Sequence, residues 1–180
     1  MTEISHEERP APAVHRDGDG GPGLVLGAAL VAMALVAGLI YTFSVAVMPN
    51  LADADDRTFV ETMQRFNENP AFSLSFTAAL VLTALAAVLQ RRRGPGVAVR
   101  WTVAALVLYA VVLAVTAGLH FPLNDELDRA MDPDHIVDLT QVRSQVEGPW
   151  VTGNIVRTLF STAAVAALAR ALLLHVRGTQ

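Results

Sequence analysis

The sequence predicts an all-α integral membrane protein: a four-helix transmembrane bundle with two short amphipathic helices in its outer loops. Three observations carry that prediction. Of the 180 residues, 53% are hydrophobic and 17% charged, against about 45–50% and about 25% in an ordinary soluble domain. The apolar excess is concentrated, because residues 20–52, 69–90 and 101–119 contain no charged side chain, and a water-soluble chain of this length cannot hide three such stretches. The polar segments between spans carry apolar residues at helical spacing, which gives each of them one face to bury.

Residues 1–23 are polar, acidic and rich in proline and glycine, the composition of a disordered tail. They lack the positive bias of a cleaved signal, and the apolar run behind them is about twice as long as a signal's hydrophobic region. Crossing the hydrocarbon core takes about 20 apolar residues. The first span is expected over about 24–48, with Pro49 as its stop. In Asp55–Asn67, Phe59, Val60, Met63 and Phe66 fall on one helical face, and Asp55 or Asp56 is placed to cap it. The second span, about 70–89, opens with Asn69 as cap and Pro70 in the first position, and closes at Gln90 and Arg91–Arg93. The third covers about 101–120, with Pro122 ending it. In Asp134–Val146, Ile136, Leu139, Val142 and Val146 make a second amphipathic segment. The fourth span, about 154–176, has Arg157 and Arg170 inside its ends, where both could snorkel to opposite interfaces.

Charge sets the expected orientation. The N-terminal tail, the Arg91–Arg100 turn and the C-terminal end hold eight arginines and five acids, whereas the two long loops hold five arginines and twelve acids. Basic residues mark the inner side, so both termini are expected in the cytoplasm of a multi-pass cell-membrane protein, with the acidic loops outside. The two amphipathic segments are then expected on the outer mouth of the bundle.

Composition also excludes chemistry. Cysteine is absent, which removes thiolate nucleophiles, disulfide exchange and zinc–thiolate sites. Every basic residue is arginine, so there is no lysine for a Schiff base. A net charge of −4 gives no global basic excess to attract nucleic acid. His120 and His135 are the only histidines on the outer side and no histidine pair shows helical ligand spacing, so no metal site is expected.

What remains is a set of polar residues at the outer ends of the spans. His120 ends the third; an imidazole with an ordinary pKa near 6.5 can take or give a proton, although an interfacial histidine bonded to a carbonyl is the bland alternative. Trp150, Asn154 and Arg157 follow at steps of four and three, on one helical face. An indole, an amide and a guanidinium in one stripe can hold a planar oxygenated molecule; the alternative is an aromatic belt with a snorkelling arginine. Arg157 lies deeper than Trp150 and near the positive end of its own helix, so it needs a carboxylate, an amide or a ligand as partner. Asn124 follows His120 by one turn. Asn67 ends the first outer helix and can face the same space, and Tyr41 and Tyr109 are lone hydroxyls inside spans.

The chain resembles the anthrone oxygenase-like family of membrane proteins. The resemblance rests on Val47-Met48-Pro49-(x)-Leu51, Thr58-Phe59-Val60, Asn67-(x2)-Pro70-Ala71-Phe72, Pro122-Leu123-Asn124-(x2)-Leu127 and Trp150-(x3)-Asn154-(x2)-Arg157-Thr158, in that order across roughly residues 24–175. It implies a small four-helix membrane protein and, from characterised relatives, oxidation of an anthrone to an anthraquinone by O2 with no known cofactor. Asn124, Trp150, Asn154 and Arg157 match the family pattern; His120 as base rests on chemistry alone. In that scheme His120 takes a methylene proton, Arg157 with Asn154 or Asn124 stabilises the oxyanion, and Trp150 stacks on the rings. The expected partners are the lipid bilayer and a lipophilic aromatic small molecule. The competing reading is a non-catalytic module that binds a quinone-like ligand or a partner protein through the same cluster. A third makes the cluster structural, with Arg157 bridging to an acid of the outer loops.

Overall fold

The computed structural model describes residues 20–130 and 138–178, and among them there are helices and short connections but no strand. Helix α1 (Gly20–Thr42) passes through a π turn, Phe43–Val47, into α2 (Met48–Ala52). The short α3 (Asp56–Asn67) precedes α4 (Pro70–Arg92). Helix α5 (Val97–Val115) runs through a second π turn, Thr116–His120, into α6 (Phe121–Ala130), and α7 covers Leu139–Gly178. Four helical stretches are long and apolar enough to cross a membrane, so the fold class is the expected one and the protein is multi-pass. The tail expected over 1–23 is already helical from Gly20; its residues 1–19, like residues 134–137 of the second outer segment, lie outside the described residues.

The two prolines expected to stop spans do not stop them. A proline has no N–H and its ring crowds the carbonyl four residues back, here Val45 for Pro49 and Gly118 for Pro122. At both places the helix widens instead. The Met48 N–H bonds the Phe43 carbonyl and the Phe121 N–H bonds the Thr116 carbonyl, five residues back, and each proline follows at the start of the next α segment. The helical path therefore continues through Ala52 and through Ala130.

The long helices form a ring in which α1 packs on α4 and α7, and α5 packs on α7 and, most sparsely, on α4. Alanines at the contacts (Ala29, Ala79, Ala86, Ala105, Ala164, Ala167) let the backbones approach closely. Tyr109, fully buried, donates its hydroxyl to the Phe76 carbonyl of α4 at 3.0 Å.

A second apolar cluster closes one end. Phe59, Val60 and Met63 of α3 are completely buried against α6 and the first turns of α7. That burial contributes about 1.5–3 kcal/mol per side chain, so α3 is packed on the bundle rather than floating beside it. Asp55 is the residue that caps α3, accepting from the Thr58 N–H at 3.0 Å, and Asn69 caps α4 as expected. The second amphipathic segment is helical from Leu139, but it is the first part of α7, which continues through Pro149 as one 40-residue helix. At 1.5 Å per residue, 40 residues span about 60 Å, roughly twice the hydrocarbon thickness. The surplus carries Val142 and Val146 into the cap.

Arg143 locks the cap. Its guanidinium donates to the Leu51, Ala52 and Ala54 carbonyls at 2.6–3.1 Å, pairs with Asp56 at 3.1 Å and Glu147 at 2.8 Å, and lies 4.8 Å over the Phe59 ring. The carbonyls at the end of α2 are thereby satisfied by a cation, the favoured charge at a helix C-terminus.

Candidate functional site

Between the two apolar clusters lies a cavity of about 310 Å3, at the small end of the range of about 300–1,000 Å3 typical of ligand pockets. Aromatic rings form much of its wall. Phe43 meets Phe66 edge-on at 4.9 Å and Phe72 at 5.8 Å, and lies 5.4 Å from Trp150. Both π turns open onto it, contributing Phe43 on one side and Thr116 and His120 on the other. A π turn re-aims side chains by adding a residue to the turn, and such turns recur at functional sites.

His120 is 1% exposed, with Nδ1 3.4 Å from the Val115 carbonyl and its ring edge-on to Trp150 at 5.1 Å. It nests against Gly153 of α7, where a Cβ would stand 2.7 Å from the imidazole Cε1 and 2.6 Å from Leu119. Only a glycine lets the ring sit there. Trp150 in turn donates its indole N–H to the Asn124 side-chain oxygen at 3.1 Å.

Arg157 does not snorkel. It is 8% exposed and turned into the bundle, its Nη2 donating to Asn154 Oδ1 at 2.7 Å and its Nη1 to Thr116 Oγ1 at 3.4 Å, with the guanidinium carbon 5.5 Å from the Trp150 ring. Asn154 is fixed by donating to the Ile40 carbonyl at 3.0 Å and to Ser44 Oγ at 2.8 Å. Among the described residues no aspartate or glutamate pairs with Arg157 or lines the cavity. The structural reading that bridged Arg157 to a loop acid thus finds no such acid among those residues. A buried cation without counter-charge is held at a cost of several kcal/mol. A ligand oxygen carrying negative charge would recover it.

Three polar nitrogens of the wall are buried without a hydrogen bond of ordinary geometry: Arg157 Nε, His120 Nε2 and Asn67 Nδ2. The last two come close to the Trp150 backbone and to Asp128 respectively, short of good alignment. No three of His, Asp or Glu among the described residues come together as a metal site.

Six of the seven sequence candidates (His120, Arg157, Asn124, Trp150, Asn154 and Asn67) therefore line one cavity. Tyr41 does not. It is 54% exposed on the outside of α1, because Ile40 faces the cavity and the next residue on a helix turns about 100° away. Sequence reasoning missed Thr116, although it precedes His120 by four residues and so shares its face. It also missed Gly153, Ser44 and Phe43, whose roles come from contacts between helices distant in sequence.

The fold and pocket define a small multi-pass helical membrane protein with an aromatic-walled, partly charged chamber between its helices. The chain belongs to the anthrone oxygenase family, whose model matches residues 66–167, from the end of α3 through most of α7. That stretch contains the six cavity candidates; the Val47–Leu51 and Thr58–Val60 motifs and all of α1 precede it. No curated protein and no solved structure matches the chain. Family membership suggests an oxygenase-related function.

Proposed function

We propose that this protein is a membrane-embedded oxygenase that oxidises an anthrone-like lipophilic aromatic with O2 to a quinone without a cofactor. The observation that carries the reading is the pairing, on one aromatic wall, of a buried imidazole with a buried guanidinium that has no acidic partner among the described residues. With one imidazole N–H donating to a backbone carbonyl, the other ring nitrogen of His120 carries the lone pair that takes a proton from the substrate methylene. The negative charge moves to the ring oxygen, where Arg157, oriented by Asn154, stabilises it in a low-dielectric site. The electron-rich ring then reduces O2 and forms a carbon–oxygen bond. Loss of water from the resulting hydroperoxide leaves the second carbonyl, so one substrate and one O2 give one quinone and one H2O. Trp150 packs against both the His120 ring and the Arg157 guanidinium and forms part of the aromatic wall. The orientation follows the arginine distribution: both termini and the Arg91–Arg93 turn in the cytoplasm, the cap outside the cell membrane.

The test is oxygen uptake and quinone absorbance by the purified protein in lipid nanodiscs, given a simple anthrone under argon and then air. Quinone formation well above autoxidation is expected, with loss of about 100- to 10,000-fold in the His120→Gln variant. Saturable binding with no rate above autoxidation would overturn catalysis and assign the same pocket to a non-catalytic ligand-binding module.

A further inference from the structure

The walls of the chamber are not equally closed. The cap side is sealed by Met63, which is fully buried, and by Phe66 above the Phe43 ring. On the α4 side the lining residues Ser73, Thr77 and Leu80 are all exposed, and across from them Phe121 is 57% exposed. This is the seam between α4 and α5, the sparsest contact in the ring. Leu80 is ten residues into α4, about 15 Å from its start at 1.5 Å per residue, or roughly half of a hydrocarbon core of about 30 Å. With the second span entering the membrane near Pro70, as the sequence predicts, the opening lies at the depth of acyl chains and not of water.

We propose that the chamber is filled from the side: a flat lipophilic phenol or enol dissolved in the bilayer passes between α4 and α5, over Thr77, with its acidic oxygen directed to Arg157. The occupant class is set by charge complementarity, since the far wall presents a guanidinium with no carboxylate partner among the described residues. The inference rests on the pocket being a ligand site, as in the proposed oxidation, but it does not require that the ligand react. Thr77 spends its hydroxyl on the Ser73 carbonyl at 2.8 Å, so the sill of the opening offers a passing aromatic its methyl group and the Leu80 side chain.

The route is tested without any turnover. Full-length protein is placed in nanodiscs containing a phosphatidylcholine whose acyl chain ends in a benzophenone, irradiated, and the adducts mapped by mass spectrometry. A ring tethered to a lipid reaches the chamber only through a lateral opening. Adducts are expected on inner-wall residues such as Phe76 and Leu113, and 1,8-dihydroxyanthraquinone, which has no reactive methylene, should compete them away. Plugging the seam with Thr77→Phe or Ser73→Phe should reduce them by about tenfold, whereas Val81→Phe, on the exposed face beside the seam, should not. Adducts confined to outward-facing residues, or inner adducts unchanged by either plug, would overturn lateral access. Inner adducts that are competed by the anthraquinone in a protein that consumes no oxygen would leave the route standing and sink the oxidation.

Discussion

Arg157 stands about one helical turn inside the span expected to begin near Asn154, close enough to that end for its side chain to reach water, and it turns inward instead. Among the described residues its partners are an amide, a hydroxyl and an indole face, all neutral, so replacement tests charge separately from shape. Arg157→Lys keeps the charge but loses the planar fork, and Arg157→Met keeps the apolar stem alone. In the oxidation assay, both should lower kcat, Met by about 100- to 1,000-fold and Lys by less. An Arg157→Met protein that folds and turns over normally would remove the oxyanion role. Gly153 supplies the second test at this scale. Gly153→Ala forces the His120 ring aside, and overpacking of this kind costs about 1–3 kcal/mol; kcat should fall more than the melting temperature suggests, with KM little changed. The stripe Trp150, Asn154, Arg157 was legible because a helix repeats every 3.6 residues and one segment suffices to align it. Gly153 was not, because what it permits is set by a ring on a different helix.

Among the elements, the cap is held by one residue more than by any other. Arg143→Gln would strip the carbonyls of Leu51, Ala52 and Ala54 of their cation and leave Asp56 without its ion pair. Hydrogen exchange should show α3 opening before the spanning helices, and Trp150 fluorescence should become accessible to acrylamide. The cap is also expected to be acid-sensitive. The Thr140 hydroxyl, with the Arg143 guanidinium behind it, holds the Asp56 carboxyl below its ordinary value, against partial desolvation. A carboxyl lowered in the folded state adds stability above its unfolded pKa, and that stability is lost as the pH falls through the carboxylate range. Cap opening in hydrogen exchange should therefore rise below about pH 4 in the native protein, and much less so in Asp56→Asn. The α3 face was readable from Phe59, Val60 and Met63. The prolines misled, since a one-dimensional reading takes Pro49 and Pro122 as stops, whereas a widened turn ahead of each absorbs the missing N–H.

At the level of the whole molecule, the four spans were legible because three charge-free stretches leave no soluble alternative, and the fourth is charge-free in its centre. The merging of the last outer segment with α7 was not, because Gly148-Pro149 reads locally as a break. Orientation is a global property and has a direct test. The chain lacks cysteine, so single cysteines at Arg92 and Asp125, both exposed and at opposite ends of the bundle, report sidedness without background. An impermeant maleimide added to whole cells should label Asp125→Cys and spare Arg92→Cys until the membrane is opened; the reverse pattern would invert the topology.

The two π turns have a consequence for how such a protein could arise and be dismantled. Each holds one residue more than the α turn it replaces, and each stands just ahead of a proline. Deleting His120 and replacing Pro122 by alanine would restore an unbroken α-helix with Phe121–Ala130 still in phase beneath α3. The product would be a sibling with the same bundle and the same cap but no imidazole on the chamber wall. It should insert and melt like the parent while lacking the proposed oxidation activity. Architecture and the proposed reactivity would then be separated by one deletion and one substitution.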